Sequence, residues 1–212
     1  MGNSSKTVFL FSGQGSQYQG MGKELCDAYP EIKSMYDEAS GILGFDLADK
    51  SWNAPEEELA QTVISQPAIM MTSLAALECM KKNGIEFSAV AGHSLGEYAA
   101  MVASGVLSFK DGFKVIKARA AAMQKAAENQ HGVMCAVMGQ TPEDIEKICS
   151  SVDGYVTPVN YNSAVQTVIA GEPEAVDAAV AKFAEIGAKT IKLKVSAAFH
   201  SKLMQPAADE FE

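Results

Sequence analysis

The sequence predicts an α/β fold, on three observations. Short apolar runs suited to buried strands alternate with stretches at helical spacing. One of these strands turns directly into a helix through Gly92-His93-Ser94-Leu95-Gly96-Glu97. From about residue 130 the rhythm changes to β-α-β-β-α-β. The first alternation argues for a domain built on a mainly parallel sheet. The second rhythm is that of a ferredoxin-like module. The expected division is a large domain over 1–128 and 196–212, with the small domain inserted at 129–195.

Each element has its own signal. Thr7-Val8-Phe9-Leu10-Phe11 is a β-rich run closed by Ser12-Gly13-Gln14-Gly15-Ser16-Gln17, and helical patterns follow around 21–28 and 31–43. Ser65-Gln66-Pro67 reads as the start of a long amphipathic helix reaching Met80, stopped by Asn83-Gly84. Phe87, Ala89, Val90 and Ala91 make the strand before the Ser94 turn; Leu95, Tyr98, Ala99, Met101, Val102 and Ala103 recur at helical spacing after it. A further helix is expected over 110–127 and a strand over Val133–Met138. Thr141-Pro142-Glu143-Asp144 opens a helix, with a capping hydroxyl, proline at the first position and acids in the first turn. Tyr155–Tyr161 and Gln166–Ala170 read as strands around Asn162-Ser163, Glu172 to Ile186 as a helix closed by Gly187, and Lys189–Val195 as the last strand.

Composition excludes several classes. The net charge of −9 argues against a nucleic acid partner. No apolar run is read as long enough to span a bilayer, and Met1-Gly2-Asn3-Ser4-Ser5-Lys6 lacks the apolar core of a signal peptide, so the chain is expected in the cytoplasm, away from membranes. Cys26, Cys79, Cys135 and Cys149 are widely spaced and form no C-x-x-C pair; with only 3 histidines, they read as reduced structural thiols and not as a metal site.

The chemistry concentrates in a few residues. Gly92-x-Ser94-x-Gly96 between strand and helix fits a nucleophile elbow, whose small flanking residues permit a sharp turn that holds the hydroxyl out of the backbone. The plain alternative is an ordinary turn with a capping serine. A serine needs a base within reach. His93 adjoins Ser94, where side chains diverge, and is read as structural; His131 lies in a polar loop and is read as a surface residue. His200, past a strand end and before a helix, is the candidate base, against the alternative of an ordinary loop histidine.

Arg119 is the only arginine among 17 basic residues. It falls within the apolar stripe of Val115, Ile116, Ala122, Met123 and Ala126, where a guanidinium needs an anion or carbonyls to satisfy it. Its planar fork matches a substrate carboxylate, although a pair with a buried acid or a snorkelling side chain would satisfy it too. Gly13-Gln14-Gly15-Ser16-Gln17 fails as a phosphate loop, because Tyr18 replaces the third glycine and no Gly-Lys-Ser/Thr follows. Its backbone amides suit an oxyanion donor.

Together these pieces resemble the malonyl-CoA:acyl carrier protein transacylases and the related acyltransferase domains of fatty-acid and polyketide synthases. The motifs are Gly13-Gln14-Gly15-Ser16-Gln17, Gln66-Pro67, Gly92-His93-Ser94-Leu95-Gly96-Glu97-Tyr98, Arg119 with Met123-Gln124, Asn160-Tyr161-Asn162-Ser163, and Phe199-His200-Ser201 with Leu203-Met204. The resemblance implies a hydrolase-like large domain carrying the ferredoxin-like one, and ping-pong transfer of malonyl from malonyl-CoA to the phosphopantetheine thiol of acyl carrier protein. It assigns Ser94 as nucleophile, His200 as base, the backbone N–H groups of Gln14 and Leu95 as oxyanion hole, and Arg119 as the ligand of the malonyl carboxylate. Phe199 matches the malonyl-selective variants. No metal or cofactor is implied, and a monomer is expected.

Ser12 departs from the family, which usually has proline before Gly-Gln-Gly. Family members also continue beyond the position of Glu212, so the C-terminal part of the large domain is expected to be missing. Alternatives are a trans-acting acyltransferase of a polyketide synthase, a serine hydrolase releasing acyl groups to water, and a module that only binds carrier protein. Lys189, Lys192, Lys194 and Lys202 offer either a basic edge to an acidic carrier or a lysine-rich face that blunts a sheet edge.

Overall fold

The structure is a computed structural model and describes residues 6–193, 195 and 197–212. In chain order it runs β1 (Val8–Phe11), α1 (Lys23–Ala28), α2 (Pro30–Leu43), α3 (Leu47–Asn53), α4 (Glu56–Leu59), α5 (Thr62–Lys82), β2 (Ala89–Gly92), α6 (Gly96–Ala103) and α7 (Phe109–Asn129). There follow β3 (Val133–Met138), α8 (Pro142–Cys149), β4 (Val156–Ser163), β5 (Gln166–Gly171), α9 (Pro173–Glu185), β6 (Lys189–Lys192), a 3₁₀ turn (Lys202–Met204) and α10 (Gln205–Phe211). Contacts divide the chain into two units, Met1–Ala121 and Ala122–Glu212. Sequence order places the boundaries at 128 and 196; by contacts the division lies inside α7, and the segment after 196 belongs with the second unit.

In the first unit β1 and β2 pair in parallel, Val8 opposite Ala89 through Phe11 opposite Gly92. β1 is apolar on both faces, the habit of a strand in a parallel sheet. Phe11 is buried, whereas Leu10 is 78% exposed and Val8 51%. The core is built by Ile32 and Tyr36 of α2, Leu47 of α3, Met70, Met71 and Leu74 of α5, Leu95 at the head of α6, and Phe113 and Ile116 of α7.

Two expectations about α5 are corrected. The helix starts at Thr62, so Pro67 lies inside it and does not mark its start. Nor is it amphipathic, because Ile64 through Met71 are all buried and α5 is the central helix of its unit, apolar nearly all round. By length and composition it is apolar enough to cross a membrane, unlike the expectation that no run would be, but 67% of that window is buried inside the protein, as in the core helix of a globular domain. α3 and α4 have no counterpart among the elements expected from the sequence.

In the second unit the sheet order is β4-β5-β3-β6, with all neighbours antiparallel. Alternation along the strands sends side chains to opposite faces. Cys135 and Val137 of β3 and Ile169 of β5 meet Ile145 and Cys149 of α8 and Val176, Ala179 and Phe183 of α9. Met134, Ala136, Val168 and Ala170 meet Ala122, Ala126 and Ala127 of α7 with Ala197, Ala198, Phe199, Met204 and Ala207. The Thr141 cap forms as expected, its side chain accepting from the Asp144 N–H at 3.2 Å. β6 is shorter than the run to Val195 suggests, and Lys194 lies outside the described residues.

Candidate active site

The elbow takes its shape from two glycines. A Cβ on Gly92 would meet the Gly96 carbonyl carbon at 2.1 Å, and one on Gly96 would meet the Phe11 carbonyl oxygen at 2.2 Å. Side chains there would push the end of β2, the start of α6 and the end of β1 apart. Between them Ser94 adopts φ 54°, a left-handed conformation uncommon for a residue with a Cβ. The His93 N–H donates to the Phe11 carbonyl at 3.0 Å and the Glu97 N–H to the Ser94 carbonyl at 3.1 Å, which pins the turn on both sides. Leu95 is the N-cap of α6, so its N–H is among the amides that a helix start leaves without an intrahelical partner.

The Gly13-Gln14-Gly15 loop lies against this turn. A Cβ on Gly13 would come within 2.6 Å of both His93 Nδ1 and the His93 carbonyl oxygen. His93 therefore has the structural part expected of it, as the surface on which the loop rests. Ser16 Oγ donates to the Gly13 carbonyl at 2.8 Å and holds the loop closed. Ser12, in the family's proline position, lies with its Oγ 3.2 Å from Ser16 Oγ and can donate to it.

Arg119 reaches the same turn from α7. Its Nη2 donates to Ser94 Oγ at 3.1 Å and its Nη1 to Gln66 Oε1 at 2.7 Å. The guanidinium carbon lies 5.3 Å from the centroid of the Tyr98 ring. Burial works against its charge; Tyr98 and then Glu97 offset part of that. Among the described residues Arg119 forms no ion pair, so the alternative of a structural pair with a buried acid does not hold. Gln66 is fully buried, and its Nε2 donates to Gln14 Oε1 at 3.3 Å. In the sequence that side chain is legible only as part of the Gln66-Pro67 motif, without a role.

Ser94, Leu95, Gln14 and Arg119 thus meet in the first unit. His200 belongs to the second unit. It sits in an exposed turn after buried Phe199 and has φ 62°, which with Ser94 makes the only non-glycine positive φ values among the described residues. Ser201 Oγ donates to the Ala198 carbonyl at 2.6 Å, and the Lys202 N–H donates to Tyr155 Oη at 3.1 Å, bracing the turn. His131 is exposed, as read from the sequence. Lys192, on the edge strand β6, pairs with Asp177. No cluster among the described residues has the composition to hold a metal ion. An open cavity of about 590 Å³ lined by Tyr36, Asp37 and Trp52 contains none of the candidate residues.

Known proteins share both this sequence and this fold. A family model of the acyl transferase domain matches residues 8–212. The malonyl CoA-acyl carrier protein transacylase of Bacillus subtilis (strain 168) is 42% identical over 212 residues, covering 98% of this chain and 67% of the relative. The protein of the same name from Escherichia coli (strain K12) is 41% identical over 207 residues, covering 96% and 67%. The crystal structure of the Clostridium perfringens transacylase superposes with a TM-score of 0.92 at 42% identity, over 98% of this chain and 66% of that one. A malonyl-transacylase in complex with its type II PKS acyl-carrier protein matches with a TM-score of 0.92 at 41% identity, over 98% and 68%. The chain spans about two thirds of the length of these relatives. It is an α/β protein with a small parallel sheet, and it belongs to the acyl transferase family, among the malonyl CoA-acyl carrier protein transacylases.

Proposed function

We propose that Ser94 carries a malonyl group, as a covalent ester, from coenzyme A to the phosphopantetheine thiol of an acyl carrier protein. Ser94 Oγ attacks the thioester carbonyl and its proton passes to the imidazole of His200. The backbone N–H groups of Gln14 and Leu95 receive the oxyanion. The C–S bond then breaks and the imidazolium returns its proton to the departing thiolate. In the second half the carrier's thiol attacks the ester through the same groups, and Ser94 leaves as the hydroxyl. Nucleophile, base and anion-binding group suffice without metal or cofactor, and all come from one chain, which acts as a monomer.

The observation that carries this reading is the 3.1 Å contact between Arg119 and Ser94 Oγ. A cation that close to the nucleophile selects an acyl group whose own carboxylate lies one methylene from the reacting carbonyl. A simple acyl chain would leave the guanidinium with neutral partners only. A longer diacid would carry its carboxylate past the fork. Plain hydrolysis of uncharged esters has no use for this arrangement.

The order β4-β5-β3-β6 supports a ferredoxin-like small domain, and the strand–elbow–helix of Ser94 a hydrolase-like large one. All four cysteines are free, which supports a reducing, cytoplasmic setting. We infer that the product supplies fatty-acid synthesis; the neighbour bound to a type II PKS carrier favours polyketide assembly as the second reading.

Incubation with malonyl-CoA followed by intact mass measurement tests this. One malonyl adduct is expected, mapping to Ser94, absent in Ser94→Ala and discharged by phosphopantetheinylated carrier protein. An adduct on another residue, or none, would sink the proposal. Loss of the adduct to water at the same rate with and without carrier would favour the hydrolase.

A further inference from the structure

We propose that Gln66 is a positioning residue, which fixes the Arg119 guanidinium for the substrate carboxylate without neutralising it. The inference rests on the proposed role of Arg119 and adds a specificity-determining partner to it.

The hydrogen bonds have only one possible direction. A guanidinium donates and cannot accept, so the atom of Gln66 facing Arg119 Nη1 at 2.7 Å must be its carbonyl oxygen. The amide nitrogen is then committed to donation, and it donates to Gln14 Oε1 at 3.3 Å. Gln14 Nε2 in turn donates to Thr62 Oγ1 at 3.4 Å. Thr62 and Gln66 are both buried on α5, one turn apart, so the chain of amides is anchored on the central helix of the unit. A flipped Gln66 would set an N–H against the guanidinium and an oxygen against Gln14 Oε1, losing both bonds.

The choice of glutamine follows from charge. Arginine has a large side-chain rotamer entropy to lose, and a partner that holds one Nη in advance spares the substrate part of that cost. Glutamate would hold it equally well, yet its carboxylate would occupy the fork that the substrate needs. Leucine would leave Nη1 and Gln14 without this contact. An uncharged acceptor is the side chain that orients Arg119 and leaves its charge for the acyl group. The relay ends on the Gln14 side chain, whereas the proposed oxyanion donor is the Gln14 backbone N–H, which takes no part in this contact.

Because Arg119 is the only arginine, phenylglyoxal modification at that residue can be followed by peptide mass without interference from other guanidinium groups. Free malonate is the probe, and protection is measured on the full chain of wild type, Gln66→Leu and Gln66→Glu. The expected result is protection in wild type and an approximately 10-fold higher malonate requirement in Gln66→Leu, the loss of one charge-assisted hydrogen bond. Gln66→Glu should be protected from the reagent even without malonate. In kinetics, Gln66→Leu should raise KM for malonyl-CoA about 10-fold while acetyl loading stays within about twofold. Wild type unprotected by malonate would remove the Arg119 reading itself. Wild type protected, with Gln66→Leu protected equally, or malonyl and acetyl loading falling together, would overturn the role of Gln66 alone. Should Gln66→Leu fail to fold, the isosteric Gln66→Glu decides: unchanged malonyl KM in that variant refutes the inference.

Discussion

Arg119 divides its two terminal nitrogens between Gln66 Oε1 on Nη1 and Ser94 Oγ, the proposed nucleophile, on Nη2. Before substrate arrives, donation to Ser94 Oγ draws on a lone pair that the attacking oxygen needs. In the proposed function, a carboxylate entering the fork would take over that donor and release the hydroxyl, so the acyl group with the right charge would help to activate Ser94. Arg119→Ala should therefore lower kcat/KM for malonyl-CoA about 100-fold, the loss of two charge-assisted bonds of about 1.5 kcal/mol each, with acetyl loading unchanged or faster. Arg119→Lys keeps the charge but not the fork, and should recover only a small part of the loss. Equal losses with both thioesters would make Arg119 a structural residue. The sequence makes this side chain conspicuous, as a lone guanidinium on an apolar stripe. Its partner Gln66 is not, because contacts among residues 66, 94 and 119 join three helices or turns that only the tertiary fold brings together.

At the scale of elements, the elbow depends on backbone approach that no periodicity reports. Gly92→Ala would drive a Cβ to 2.2 Å from the Glu97 nitrogen, backbone that cannot swing aside. The expected cost is about 1–3 kcal/mol of stability, as for overpacking in a core, with loss of the malonyl adduct. Gly41→Ala is the control. Gly41 sits inside α2, and a Cβ there would have nothing within 4 Å, so alanine should stabilise the chain by about 0.5–1 kcal/mol. Urea unfolding of the two variants checks the contrast, and a Gly92→Ala protein as stable as wild type would refute this account of the turn. Helices with strong local signals are legible in the sequence: Thr141 caps α8 where expected, and α9 fills the run read as helix from Glu172 to Ile186. The start of α5 is not, because proline commonly marks a first turn, whereas here it is accommodated at the sixth position of a helix held by burial on most sides. α3 and α4 are too short to display a period, although Asp46 caps α3 by accepting from the Asp49 N–H at 2.9 Å.

At the scale of the whole molecule, the shifted groups that bear most on stability act at alkaline pH. Burial raises Cys149 from 9.0 to about 11, with Glu146 adding to it. Burial likewise raises Cys135 in the second unit, and Cys79, Cys26 and the Tyr36 phenol in the first. Between pH 9 and about 11 an unfolded Cys149 has lost its proton while the folded one keeps it. The native state then binds more protons, and unfolding becomes easier as pH rises. This contribution is complete below pH 9 and is lost as pH passes about 11. Lys50 and Lys192, raised by hydrogen bonds to Glu58 and Asp177, act in the same direction: their pairing is present below the ordinary lysine value and disappears above the folded one. Asp111, lowered by Lys114 and Ser108, acts on the acid side, and it is exposed. The urea midpoint should accordingly fall steeply from pH 9 toward 11, and Cys149→Ala, less stable at neutral pH, should show a shallower fall. Equal slopes for the two proteins would mean that the Cys149 thiol titrates alike folded and unfolded, and would refute the shift attributed to its burial between α8 and the sheet.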